Sequence, residues 1–215
     1  MSGGDVVART AARVRELLAG DASGHDWWHI ERVRRLALRL AGEEGADPLA
    51  VELAALLHDV GDWKMSGDPH GGARYAREWL GGLGVEPGLV EHVAQIVDTL
   101  SFKGAGVPTP MGTLEGKVVQ DADRLDALGA IGIARAFAFG GSRGRPLHDP
   151  DAPPRLHASF EQYRAAGGAT LNHFHEKLLL LRDRMNTASG RRIAEERHRY
   201  MEEFVARFLA EWEGR

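Results

Sequence analysis

A histidine and an aspartate stand side by side near the end of the apolar run LAALLHDVGDWK, residues 53–64. Leu53, Leu56 and Leu57 keep helical spacing, so His58 and Asp59 arrive where a buried helix should carry more leucine. An ionised carboxylate is costly to bury unless it is paired or bound to a cation. Gly61 is expected to end this helix. The pair therefore points to a metal, and adjacent residues on a helix diverge by about 100°, so the remaining ligands must come from other helices. His29 lies four residues before Val33, on the apolar stripe Val33, Leu36, Ala37 and Leu40. Alone it would read as a core histidine bonded to a backbone carbonyl; other candidate ligands favour coordination. The stretch DADRLD offers Asp121, Asp123 and Asp126 at different angular positions, and periodicity leaves the choice among them open. Two imidazoles and two carboxylates leave positions for water on an octahedral ion, favouring manganese, iron, cobalt or nickel over a closed zinc site.

The elements that must position these residues all read as helix. One is predicted from Val6 to Leu18, before a Gly-rich turn at 20–24. Asp26 is the expected cap of the helix carrying His29, and Asp47-Pro48 is a strong start signal for the helix carrying His58. Further helices are expected over Gly72–Leu80 and from Pro87, the latter with Val90, Val93, Ile96, Val97 and Leu100 inward. Leu114, Val118, Ala122 and Leu125 keep helical spacing, and residues 140–156 read as an irregular connection. Leu171, Phe174, Leu178, Leu181 and Met185 are spaced by threes and fours, an amphipathic signature. A last helix, Ser189–Trp212, is expected to bury Ile193, Met201, Phe204, Phe208 and Trp212. No strand alternation is evident. The expectation is an all-α chain: one helical bundle over residues 1–215, with a core of about 25–140 and C-terminal helices, about 169–213, packed on it.

Composition narrows the function. The chain has 215 residues, 43% hydrophobic and 27% charged, which is ordinary for a globular protein. A net charge of −4 gives no general attraction to nucleic acid or anionic membrane. With no cysteine, thiolate metal sites and disulfides are excluded. The start MSGGDVVART lacks a signal peptide's apolar core, so a cytoplasmic protein is expected, with neither membrane nor nucleic acid as partner. The apolar faces of the last two helices could serve a homodimer.

With these residues in view, the chain resembles the HD-domain metal-dependent phosphohydrolases, in particular a bacterial YpgQ/YedJ-like branch. HDWWHIERV, LAALLHDVGDWK, VDTLSFKG, EGKVVQDADRLDALGAIGIARAF and NHFHEKLLLLRDRMNT carry the resemblance, which covers about residues 25–212. It implies His29, His58, Asp59 and Asp123 as the metal ligands and so selects among the three aspartates. It also implies hydrolysis of (deoxy)nucleoside triphosphates to monophosphate and pyrophosphate. Manganese is the first expectation, with nickel, cobalt, iron or magnesium as substitutes. Asp62 stands where some relatives have glutamate, and its shorter arm alters its reach.

A divalent ion makes water acidic and phosphate easier to attack. Asp62, three residues beyond Asp59, is placed to orient the water or move its proton. Lys64, Lys103, Arg124 and Lys177 are the candidate phosphate-binding cations. Arg124 has the equal alternative of pairing with Asp121 or Asp126, and Lys177 that of lying on the wet face of its helix. Trp27 and Trp28 are expected to pack in the core or stack on a base. His173 and His175 are expected at the surface or behind the ligands. Competing functions are a nucleoside monophosphate phosphatase, a di-iron oxygenase recruiting His70 and His92, and a non-catalytic nucleotide sensor.

Overall fold

The computed structural model describes residues 1–19, 26–60, 70–100, 109–155 and 168–215. Among the described residues every regular element is helical, and the protein is all-α. They form two compact units: one from residues up to 100 and Thr109–Ala122, the other from Asp123–Arg215.

In the first unit, α1 (Gly3–Leu17) starts earlier than periodicity suggests because Ser2 and Asp5 form a reciprocal capping box. Helix α2 (Trp27–Glu44) begins at Asp26 and ends at Gly45, whose φ of +78° suits glycine. Helix α3 (Pro48–Leu57) starts where Asp47-Pro48 predicts, with the Asp47 carboxylate accepting the Leu49 N–H at 2.9 Å. Helices α4 (Gly71–Gly82) and α5 (Pro87–Thr99) pack on each other. Ala50, Val51 and Leu53–Leu57 bury α3 almost all round, as its apolar composition demands, and it packs against α1, α2 and α5. Its one charged residue, Glu52, pairs with Arg34 of α2 at 3.1 Å. Helix α6 (Leu114–Asp126) contributes residues up to Ala122 to this unit and Asp123–Asp126 to the other. Buried Gln120 fastens it by donating to the carbonyls of Leu100 and Thr109. Of the four residues that keep helical spacing, Val118, Ala122 and Leu125 are buried and Leu114 is exposed.

The second unit continues with α7 (Gly129–Ser142), α8 (Asn172–Glu176) and α9 (Ala188–Trp212). Residues 171–185 do not form the amphipathic helix expected there. After the five-residue α8, Lys177 leaves helical geometry (φ −142°), and two 3₁₀ turns follow, Leu178–Leu180 and Arg182–Arg184. Leu171, Phe174, Leu178, Leu181 and Met185 are nonetheless all buried. Three-residue turns bring i and i+3 to one face, so the spacing is satisfied without a continuous α-helix. Helix α9 packs on α7 and on the 3₁₀ turns. Ile193, Met201 and Val205 are buried, Phe204 and Phe208 are half-buried, and Trp212, expected inside, is 49% exposed. The aromatic packing that includes Phe137, Phe174, Phe204 and Phe208 continues outward through Trp212, stacked on Phe208.

Candidate metal centre

His29 is the third residue of α2, and the Asp26 carboxylate that caps the helix accepts its backbone N–H at 3.0 Å. The same cap that starts the helix therefore fixes the backbone of the candidate ligand. The His29 ring is fully buried. The helix bearing His58 ends at Leu57, not at Gly61, which lies outside the described residues. His58 is the cap residue, and a tight turn closed by the Val60 N–H on the Leu57 carbonyl (3.1 Å) follows.

The result is a convergence of three ligand atoms. The Nε2 atoms of His29 and His58 lie 3.2 Å apart, and Asp59 Oδ2 lies 3.4 Å from the first and 3.7 Å from the second. The Asp59 side chain is only 14% exposed. On its other side, His58 Nδ1 is 2.8 Å from the Ala55 carbonyl. A carbonyl only accepts, so the ring proton sits on Nδ1 and the Nε2 lone pair faces inward. Two ligands each about 2.1 Å from one ion lie about 3.0 Å apart at 90° and about 3.4 Å apart at the tetrahedral angle. The observed separations sit in or close to that interval. Two neutral imidazoles and a carboxylate suit a divalent transition metal, so the residues present fit such an ion. Among the described residues, these three are the group of histidine and acidic side chains that could hold a metal.

Asp123 is half-buried on the last turn of α6. Arg124 is 7% exposed and its Nη1 donates to the Arg184 carbonyl, while Asp126 pairs with Arg135 at 2.7 Å. Lys177 is half-buried at the break before the first 3₁₀ turn. Asp62, Lys64 and Lys103 lie outside the described residues. His70 meets Asp98 at 2.7 Å and His92 meets Glu115 at 3.3 Å. Trp28, offered as a core or stacking residue, is 58% exposed, and Trp27 is half-buried. His173 is half-buried; burial, then the nearby Lys177 and Arg145, pushes its imidazole down to about 3. Sequence reasoning missed the Ala55 carbonyl, a backbone group that no side-chain pattern announces.

Comparison with known proteins gives a consistent picture. Residues 27–128 match the model of the HD domain family. The Bacillus subtilis protein YpgQ is 39% identical over 194 residues, covering 89% of this chain and 86% of that one. A crystal structure of an HD-superfamily hydrolase from Bacillus thuringiensis is 44% identical, with a TM-score of 0.78 and full coverage of both chains. The crystal structure of YpgQ in complex with ADP is 37% identical over 94% of this chain and 96% of that one, with a TM-score of 0.72.

Proposed function

The chain belongs to the HD domain family, whose members bind a divalent metal, and from that premise we propose that this hydrolase cleaves soluble nucleoside triphosphates. The observation that carries the proposal is the convergence of His29, His58 and Asp59 on one point, with the His58 tautomer held by Ala55. The ADP bound to YpgQ supports a nucleotide as substrate.

Asp123 is proposed as the fourth ligand; this rests on the match of its ADR triplet to the HD pattern. A divalent ion held by these four residues, manganese in the first instance, would acidify a water and offset phosphate charge. Asp62 is proposed to accept a proton from the attacking water, whose oxygen would bond to the α-phosphorus. The bond from the α-phosphorus to the bridging oxygen breaks, and pyrophosphate leaves with that oxygen. Lys64, Lys103 and Lys177 are proposed to hold the departing phosphates, since phosphoryl transfer needs positioning and charge neutralisation above all. Arg124, buried against the Arg184 carbonyl, is a weaker candidate for that task than the three lysines.

The deciding experiment is a nucleotide panel with product identification, run with several divalent metals. Release of pyrophosphate from triphosphates is expected, and His58→Ala should abolish it. Release of phosphate from monophosphates alone would make the protein a phosphatase. Release of neither product would overturn the proposal.

A further inference from the structure

We infer that Arg197 and Arg135 are positioning residues for Asp123, holding the turn of helix that carries it; this rests on the proposal that Asp123 is a ligand. The end of α6 is a poor place to keep a carboxylate. The last carbonyls of a helix lack intrahelical partners and together carry about half a negative charge. Asp121, Asp123 and Asp126 add three carboxylates to that same end. Left to itself, such a terminus frays.

Elements of the second unit close it. The Arg124 carbonyl accepts from the Ala127 N–H at 3.1 Å. The Leu125 carbonyl accepts from the Leu128 N–H at 3.0 Å and also from Arg197 Nη1. Asp126 is gripped at two points by Arg135 Nη1, which donates to its Oδ2 at 2.7 Å and to its carbonyl at 3.4 Å. Arg124 anchors the same turn from within by donating to the Arg184 carbonyl. Two guanidinium groups from α7 and α9 thus supply donors and positive charge within three residues of Asp123, at the end of the helix where both are needed.

The approach of Arg197 is prepared by the backbone. It occupies the gap between Ile193 and Met201 on the buried stripe of α9, a position four residues from each. Its stem lies over Gly129, which holds a φ of +72°, and a β-carbon there would come within 3.2 Å of Arg197 Cγ. A cation on an inward stripe needs a purpose, and the carbonyl beyond Asp123 provides one.

The test measures Mn²⁺ affinity by calorimetry and the electron paramagnetic resonance spectrum of bound Mn²⁺ in Arg197→Gln, Arg135→Gln, Arg197→Lys and Asp123→Asn. Residues that orient a ligand typically change metal affinity by about 10- to 100-fold, and a loss of that size with an altered spectrum is expected for both glutamine variants. Arg197→Lys should recover most of the affinity. If either glutamine variant fails to fold, the other still decides. Wild-type affinity and spectrum in a folded glutamine variant, with only a lowered Tm, would overturn the inference while Asp123→Asn still loses the metal. Wild-type binding by Asp123→Asn would instead remove the ligand assignment on which it rests.

Discussion

His29 Nε2 and His58 Nε2 face each other across 3.2 Å, while the other nitrogen of His58 is committed to the Ala55 carbonyl. At that distance the contact is favourable either with a proton shared between the two rings or with a metal ion that takes a lone pair from each. Asp59 Oδ2, 3.4 and 3.7 Å away, adds a third acceptor to the same point. Burial strengthens electrostatic effects, so a cation placed among these three atoms would be held firmly.

Metal should therefore stabilise the folded chain through this cluster. At about 100 times its dissociation constant, Mn²⁺ should add about 2.7 kcal/mol, raising Tm by roughly 5–10 °C for a chain of this size. His58→Ala should lose that rise, because it removes one of the three converging atoms. Scanning calorimetry with and without EDTA reads the difference. An equal metal-dependent rise in the variant would place the ion elsewhere.

Two glycines on one helix should answer the same substitution in opposite ways. A β-carbon on Gly132 would lie 2.2 Å from the Ala127 carbonyl oxygen, a backbone atom that cannot swing aside. Gly132→Ala should cost about 2 kcal/mol or more. A β-carbon on Gly141 meets nothing within 4 Å, so Gly141→Ala should be neutral or stabilising by up to about 1 kcal/mol through helix propensity. Urea denaturation of the two variants makes the comparison; similar midpoints would contradict this packing.

Acid should weaken the fold partly through His173. Burial, with Lys177 and Arg145 nearby, holds its pKa at about 3, well below the ordinary 6.5. As pH falls, the unfolded chain takes up this proton near 6.5 and the folded chain only near 3. The stabilisation is complete above the higher value and is lost progressively as pH falls toward the lower one. Between pH 7 and pH 4, His173→Gln should lose less stability than the wild type, by on the order of 1–3 kcal/mol. Parallel urea midpoints across that range would show that His173 is not responsible.

Much of the fold was legible residue by residue. Asp26 and Asp47-Pro48 mark helix starts because capping and proline geometry are local chemistry, satisfied by neighbours in sequence. The near-uniform apolarity of residues 50–57, broken by Glu52, marked α3 as an inner helix. The segment 171–185 shows where that reasoning stops. Spacing by threes and fours told correctly which side chains are buried, yet it could not distinguish a long α-helix from α8 and two 3₁₀ turns. Periodicity reports burial and leaves the backbone hydrogen-bond pattern open.

By itself, then, the sequence determined an all-α chain and the residue types of a metal cluster, because helix caps, apolar periodicity and the HD pattern are written along the chain. Only the tertiary structure decided that α3 ends at Leu57, that Asp59 comes within 3.7 Å of His58, and that Ala55 sets the tautomer of that histidine. It alone exposed Trp212 and set Arg197 on the carbonyl of Leu125. These are relations among groups brought together by packing, and no local rule fixes which carbonyl meets which side chain across dozens of residues.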